Sequence, residues 1–324
     1  MRRRRIGETD LEASCLCLGG ALFGSTLSEG ESFALMDAFV EMGGNFLDTA
    51  HGYADWVEGF RGLCISEKTI GRWMKSRGNR DSMLVGTKGG WVNFRTRALM
   101  SSREELLTQI ERSLRELQAD CIDIYWLHRD DPKYPVSHFI DLLNEECDLG
   151  HIRCFGCSNW TVARIREANA YAAAHDMRGF TANQMWWSLA VPDLDAYGDP
   201  TTVGMDDEGM RLHRETGIVA VPYSSQAKGF FNKLDRQGLE GMDGFCRRIF
   251  GSRQNVERLP RVKEVAASLD ASIAQVVLAW LLAQPFLTIP VIGCRTIEQL
   301  RDTVKATQVE LSDAQVSYLA TGET

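Results

Sequence analysis

The chain has 324 residues, enough for two average domains or one large single-domain barrel. A hydrophobic share of 44% and a charged share of 25% are those of a globular protein able to bury a sizeable core. A formal net charge of −8 argues against a nucleic-acid partner, and no run approaches the ~18–20 apolar residues of a membrane helix.

The start, MRRRRIGETD, is basic, but no apolar segment of a secretory signal follows, so a cytoplasmic location is expected. Arg2–Arg5 reads as a solvated strand or tail. Nine cysteines are scattered without a paired-ligand pattern; Cys15, Cys17, Cys121 and Cys154 sit in strand-like runs as small buried hydrophobes. Cys154-x-x-Cys157 has a redox or half-zinc spacing but no second pair. Three residues along a strand would also turn its thiols to opposite faces. Reduced thiols are the expectation.

A turn signal at Gly7–Asp10 suggests an N-terminal hairpin before the main fold. Cys15–Leu18 is a short apolar run stopped by Gly19-Gly20. Ser28 to Met42 has helical spacing (Phe33, Leu35-Met36, Phe39-Val40) and ends at Gly43-Gly44. Asn45–Asp48 is the next strand, a helix begins at Ser66-Glu67, and Met83–Lys88 is a third strand. Ser102-x-x-Glu105 is a capping box opening a helix faced by Leu106, Ile110, Leu114 and Leu117. Ile122–Leu127 reads as a strand ending at His128. A helix over Val136–Cys147 precedes the strand Ile152–Gly156, which ends in Cys157-Ser158-Asn159.

An Ala-rich helix, Thr161–His175, leads to the strand Phe180–Asn183 and Gln184. A short helix, Gly209–Thr216, leads to the strand Ile218–Val221 and Pro222-Tyr223-Ser224. A Gly- and charge-rich stretch, Lys228–Asn255, then interrupts the rhythm as a long loop, either a flap over a ligand or a partner interface. Helices around Leu259–Leu269 and Ser272–Ala283 lead to a last strand, Leu287–Val291, and to helices Thr296–Ala306 and Ser312–Leu319.

The eight strand candidates are short, apolar throughout and separated by helices, the signature of parallel strands covered on both faces. Without an internal linker they predict a single (β/α)₈ barrel over residues 1–324, carrying the N-terminal hairpin and the long loop after strand seven. Gly19-Gly20-Ala21-Leu22-Phe23-Gly24 lacks the GxGxxG spacing, so a Rossmann domain is the weaker reading.

Such a barrel places its active site where the strands end. There fall Asp48 after the second strand, Tyr53 in the loop beyond it, Lys88 after the third strand and His128 after the fourth. A phenol has a pKa of about 10. A buried ammonium beside it is expected to lower that value, with Asp48 compensating Lys88. A tuned tyrosine next to a carbonyl oxygen is a general acid for carbonyl reduction, and His128 can hydrogen-bond the same oxygen. Side chains supply no hydride, so a nicotinamide cofactor is required.

These residues carry a resemblance. D-T-A-x-x-Y at Asp48–Tyr53, Ser66-Glu67 with Ile70-Gly71, T-K-G-G at Thr87–Gly90 and D-I-Y-W-L-H at Asp123–His128 resemble the aldo-keto reductase family. So do G-H-I-R-C-F-G-C-S-N-W at Gly150–Trp160, Asn183-Gln184 and the ending I-P-V-I-G-C-R-T-I-E-Q-L. The matches run in family order from about Arg5 to Leu319.

The resemblance implies NADP(H) lying extended across the rim of the barrel, and Tyr53 as general acid in a tetrad with Lys88, Asp48 and His128. It implies Ser158, Asn159 and Gln184 holding the nicotinamide carboxamide, with Tyr223 stacked on the ring. Gly19, Gly20 and Ala21 would line the ribose, and Ser224, Ser225 and Gln226 the pyrophosphate. For the 2′-phosphate and adenine it implies Gly293, Cys294, Arg295, Gln299, Asp302 and Thr303. Gln299 stands where many members carry Arg and also reads as a helix cap; Thr303 replaces the usual Asn. NADP(H) is the expected cofactor and NAD(H) is possible.

Trp56, Trp91, Arg129, Asp130 and Trp187 are the candidate substrate contacts, with Trp91 and Trp187 equally readable as packing residues. Tryptophan with Arg and Asp suits a polar, sugar-like aldehyde or its polyol, a small molecule. Two other classes compete: a cofactor-binding regulatory subunit with little turnover, and a barrel lyase or hydrolase using Asp48 and Lys88 without redox chemistry.

Overall fold

The basic run at the start pairs as the first strand of an antiparallel hairpin, β1 (Arg3–Arg5) with β2 (Glu12–Ser14). The structure, a computed structural model, describes residues 1–323 apart from 94, 95 and 97. Eight parallel strands follow: β3 (Cys17–Gly19), β4 (Phe46–Asp48), β5 (Leu84–Gly89), β6 (Ile122–Leu127), β7 (Ile152–Ser158), β8 (Ala182–Gln184), β9 (Val219–Ala220) and β10 (Val291–Ile292). They lie side by side in chain order from β3 to β9, with β10 beside β3. Parallel hydrogen bonds from Ile289 N to Ala220 O (2.8 Å) and Val291 N to Pro222 O (2.9 Å) close the remaining seam. The result is the (β/α)₈ barrel.

Two apolar layers hold it. Outside the sheet, the helices bury their stripes in a continuous cluster that includes Leu47, Val85, Tyr125, Phe155 and Cys157. Inside, Phe46, Leu84, Ile124, Trp126, Cys154, Ala182 and Val219 form a second cluster, joined by Ile6, Leu11 and Ala13 of the hairpin. The hairpin thus shares the apolar interior of the barrel. Cys154 belongs to the inner cluster and Cys157 to the outer, as strand alternation requires, and all nine cysteines are free.

Trp126 dominates the interior and is fully buried. Space for its indole comes from the two flanking strands. A Cβ on Gly86 would lie 2.6 Å from Trp126 Nε1, and one on Gly156 2.5 Å from Trp126 Cζ3. Glycine here serves close approach rather than an unusual dihedral.

Helix starts follow the sequence. Ser28 with Glu31 and Ser102 with Glu105 form capping boxes that open helices Glu29–Glu41 and Arg103–Leu117. Two expectations need correction. The last strand is displaced: Val291–Ile292 pairs with β3, while Thr288 only bridges to Ala220. The long connection after the seventh barrel strand is largely helical, with helices Phe230–Gln237 and Gly244–Phe250 leading into Arg253–Ser268. Its apolar residues explain this. Phe230, Phe231, Ile249 and Phe250 are buried in the outer cluster, and Asp243 caps the second helix by accepting from Cys246 N. Among the described residues no single helix is long and apolar enough to cross a membrane.

Candidate active site

Alternation along the strands builds the site. On the inner face, apolar positions are followed two residues later by polar ones: Phe46 by Asp48, Trp126 by His128, Ala182 by Gln184 and Val221 by Tyr223. Leu84, Gly86 and Lys88 repeat the pattern on β5, as do Cys154, Gly156 and Ser158 on β7. The register sets Gly19 beside Asp48, Asp48 beside Gly86, and Ser158 beside Gln184. A packed interior therefore ends in a ring of polar side chains at the carboxyl rim.

Within the ring, Lys88 Nζ donates to Asp48 Oδ2 at 2.5 Å, to Tyr53 Oη at 3.0 Å and to the Thr49 carbonyl at 2.7 Å. Tyr53 Oη donates to Asp48 Oδ2 at 3.2 Å, and Gln184 Nε2 donates to Asp48 Oδ1 at 2.7 Å. Lys88 and Asp48 are both 2% exposed, so each charge depends on the other. The loop carrying Tyr53 is tied to β5 by Thr49 N to Gly86 O (2.8 Å) and His51 N to Lys88 O (3.0 Å). The structure brings His128 to the same cluster: its ring stands edge-on to Tyr53 with centroids 6.2 Å apart.

Burial and the Asp48 charge raise the Tyr53 phenol well above its ordinary pKa. This reverses the expected lowering by Lys88, because burial disfavours the phenolate and Asp48 both neutralises the ammonium and accepts from the phenol. Burial lowers Lys88 against the opposing pull of Asp48. His128 is held well below 6.5, first by burial and then by Arg129 and Lys88, and is neutral at pH 7. The site thus offers a protonated phenol, a paired ammonium and an uncharged imidazole.

Of the residues expected at the cofactor, Gln184 is the most telling. Its amide nitrogen is spent on Asp48, while its buried Oε1 has no partner. A carboxamide N–H fits that acceptor. Asn159 is anchored more fully: Nδ2 donates to Ser158 Oγ (2.9 Å) and Oδ1 accepts from Tyr223 Oη (2.7 Å). Ser225 Oγ donates to Val291 O (2.6 Å), holding the Ser224–Gln226 loop beside β10, and Gln226 Nε2 reaches Thr303 Oγ1 at 3.4 Å. Ser224, Ala227 and Lys228 all have positive φ, a strained run in non-glycine residues. Gly20 is hemmed in by Ser66, Phe23 and Asp48, whereas a Cβ on Gly293 would meet open space.

At the far end, Arg295 is exposed and its backbone N–H donates to Gln299 Oε1 (2.9 Å), so Gln299 acts in the helix cap formed with Thr296. Asp302 is engaged elsewhere, accepting from Gln275 Nε2 (2.6 Å) and Ser272 Oγ (3.1 Å) at the start of helix Ile273–Leu282. Cys294 is buried beside Thr303.

The candidate substrate contacts separate. Trp91 is tilted over the His128 ring at 4.3 Å, with the Arg129 guanidinium 4.4 Å from the Trp91 ring centre. Trp56 is 52% exposed and meets Tyr53 edge-on at 5.9 Å. Trp187 is instead buried against Trp280 and Phe286, in the outer core. The polar heads are committed too: Arg129 to Asp199 and Thr201, and Asp130 to Arg164.

Sequence reasoning missed the Thr49 carbonyl, the Gln184–Asp48 bond and the Asp199–Thr201 anchor. A backbone acceptor has no sequence signal, and 136 residues separate Gln184 from Asp48. Cys17, a core residue by its apolar run, also feels the charges of Asp48 and Lys88.

Comparison with known proteins identifies the family. The model of the aldo/keto reductase family matches residues 15–321. The chain is 30% identical over 336 residues to norsolorinic acid reductase B of Dothistroma septosporum, covering 98% of this chain and 81% of that protein. It is 29% identical to the uncharacterized oxidoreductase YrpG of Bacillus subtilis, covering 94% and 91%. To the putative aryl-alcohol dehydrogenase AAD14 of Saccharomyces cerevisiae it is 26% identical, covering 98% and 85%.

Proposed function

The chain belongs to the aldo/keto reductase family of NAD(P)H-dependent oxidoreductases, and on that premise we propose that it reduces an aryl-bearing aldehyde or ketone with Tyr53 as general acid. The observation that carries this is the hydrogen-bonded triangle of Tyr53, Lys88 and Asp48 at the rim of the barrel.

When bound, the nicotinamide supplies the hydride for the carbonyl carbon. Tyr53 gives its proton to the carbonyl oxygen as negative charge develops there. The raised phenol pKa keeps that proton loaded at neutral pH. Lys88 Nζ, 3.0 Å away, then stabilises the phenolate, and Asp48 keeps Lys88 in place. Neutral His128 can hydrogen-bond the same oxygen without adding charge. Gln184 Oε1 and Ser158 would receive the carboxamide, and Tyr223 would flank the ring. The Gly293–Thr296 turn precedes a helix and carries exposed Arg295, which suits a 2′-phosphate and favours NADP(H) over NAD(H).

The substrate class rests on the indoles of Trp56 and Trp91, which stand beside Tyr53 and His128 respectively. The names of two relatives, a norsolorinic acid reductase and a putative aryl-alcohol dehydrogenase, lean the same way. A sugar-like aldehyde is the competing reading, since indoles also stack on sugars. Its hydroxyls, however, would have to draw Arg129 and Asp130 from their present partners.

The test is a panel of aryl aldehydes and aldoses assayed with NADPH and with NADH. Higher kcat/KM for aldoses overturns the substrate class, and tenfold better turnover with NADH overturns the cofactor preference. Tyr53→Phe should lower kcat by ~10²–10⁴-fold while NADPH still binds by fluorescence titration. Turnover at the wild-type rate would remove Tyr53 from the chemistry.

A further inference from the structure

Between the Tyr53 loop and helix Ile65–Arg77, three donors of different chemistry converge. The imidazole of His51, the thiol of Cys64 and the carboxylate of Glu67 each offer a ligand atom, all within 4.8 Å of one another. Cys64 Sγ lies 3.6 Å from His51 Nδ1. Cys64 and Glu67 are fully buried. Glu67 accepts one hydrogen bond, from Thr87 Oγ1 at 2.6 Å on its Oε1. Its other oxygen, Oε2, is buried without a partner of good geometry. The neighbouring Ser113 hydroxyl also lacks a well-formed partner and faces the same carboxylate, offsetting part of the upward push that burial gives Glu67. An unmatched buried carboxylate oxygen bears a desolvation penalty that a ligand would relieve.

We propose that His51, Cys64 and Glu67 hold a divalent cation of borderline softness, zinc being the type, as a clamp between the Tyr53 loop and helix Ile65–Arg77. One nitrogen, one sulfur and one oxygen donor form a set that zinc accepts, with water in a fourth position. Tetrahedral zinc spaces its ligand atoms roughly 3.3–3.8 Å apart, so the present triangle, with its atoms within 4.8 Å, closes by up to about 1.5 Å on binding. Burial holds His51 down at about 4, leaving the neutral, ligating imidazole at pH 7. Burial and the Glu67 charge hold the Cys64 thiol up at about 12, so without a cation it is protonated. Binding forms bonds from the cation to the Cys64 sulfur, a His51 nitrogen and a Glu67 oxygen, and releases to solvent the thiol proton together with whatever proton Glu67, raised to about 7 by burial, still carries, with no change of oxidation state.

The thiolate and the Glu67 carboxylate together offset the double positive charge. The nearest opposing charge, Arg112, is shared with Glu116 at 3.6 Å, and Lys68 lies 3.8 Å from the same carboxylate. The clamp shares β5 with the tetrad: Thr87 bonds Glu67, and His51 N bonds the Lys88 carbonyl. It fixes the span from His51 to Cys64, which includes Tyr53 and Trp56.

The test uses the full-length reduced protein, stripped with a chelator and titrated with CoCl₂ and then ZnCl₂. The expected result is one equivalent of cobalt with a near-ultraviolet thiolate-to-cobalt charge-transfer band, displaced by zinc. At a hundredfold excess over Kd, zinc should raise Tm by roughly 4 °C. Cys64→Ser should abolish the band. His51→Gln, at a partly exposed position that spares the core, should weaken binding by at least the ~10–100-fold that losing an outer-sphere partner costs. Cys147→Ser should leave the band intact. No stoichiometric band in the wild-type protein, a band that survives Cys64→Ser, or unchanged affinity in His51→Gln overturns the proposal.

Discussion

Replacing Asp48 by Asn tests the electrostatic core of the site most directly. The amide keeps the size of the side chain and can still accept from Gln184, but it leaves Lys88 as a cation 2% exposed with no counter-charge. Breaking a buried pair from one side costs about 3–5 kcal/mol. Spread over 324 residues at ~2.1 cal/mol/K each, that lowers Tm by about 4–7 °C. The loss should also depend on pH. Burial already lowers Lys88 in the folded state, and removing Asp48 lowers it further. A lysine whose folded pKa lies below its unfolded value of ~10.4 binds fewer protons folded than unfolded. Stability therefore rises with pH across the window between those two values, by at most ~1.4 kcal/mol per unit. Urea denaturation of wild type and Asp48→Asn at pH 6, 7.5 and 9 measures this. The deficit should shrink toward pH 9, and Asp48→Asn combined with Lys88→Met should recover most of it. A deficit below ~1 kcal/mol, or one flat in pH and untouched by Lys88→Met, would refute the buried pair.

Gly86→Ala drives a Cβ to 2.6 Å from Trp126 Nε1, and overpacking of this kind costs about 1–3 kcal/mol in a denaturant titration; Trp126→Phe should relieve it. Because His128 is held well below 6.5, kcat/KM should be flat from pH 6 to pH 7.5, and a limb near 6.5 abolished by His128→Gln would contradict its neutral state. Gln184→Met removes the orphaned Oε1 and should weaken NADPH binding about 10-fold by fluorescence titration, in line with the ~1.4 kcal/mol of one buried hydrogen bond. Lys228→Gly frees a non-glycine residue from φ 52° and should raise stability by up to about 1 kcal/mol.

Much of the barrel is legible in the chain because parallel strands covered on both faces need continuous apolar runs, and capping residues announce their own helices. Ser28 and Ser102 open helices where the spacing places them. The polar rim is legible for a related reason: Asp48, Lys88 and His128 each break an apolar run at its carboxyl end. The helices at Phe230–Gln237 and Gly244–Phe250 were not, because glycines and charges on their outward faces mask a buried face of only a few aromatics. Trp187 stays open between pocket and core for another reason. It follows the strand end as a pocket residue would, but its burial is decided by Trp280 and Phe286, about 100 residues away. Nor could spacing show that Arg129 and Asp130 are already engaged.

The indole in the barrel interior has a consequence for how this sequence can vary. Trp126 occupies the volume that a side chain at 86 would otherwise fill and presses against Gly156 on the other flank, so three positions on three adjacent strands are set by one indole. A relative with alanine or larger at 86 must surrender the indole, and one that keeps the indole must keep both glycines; at 156 the Ala182 carbonyl oxygen, 2.5 Å from an added Cβ, demands glycine in any case. Lys88 lies two residues beyond Gly86 on the same inward face and directly across the ladder from Trp126. Changes in this trio should therefore reach the proton-handling residues as small displacements of Lys88, without any substitution among them.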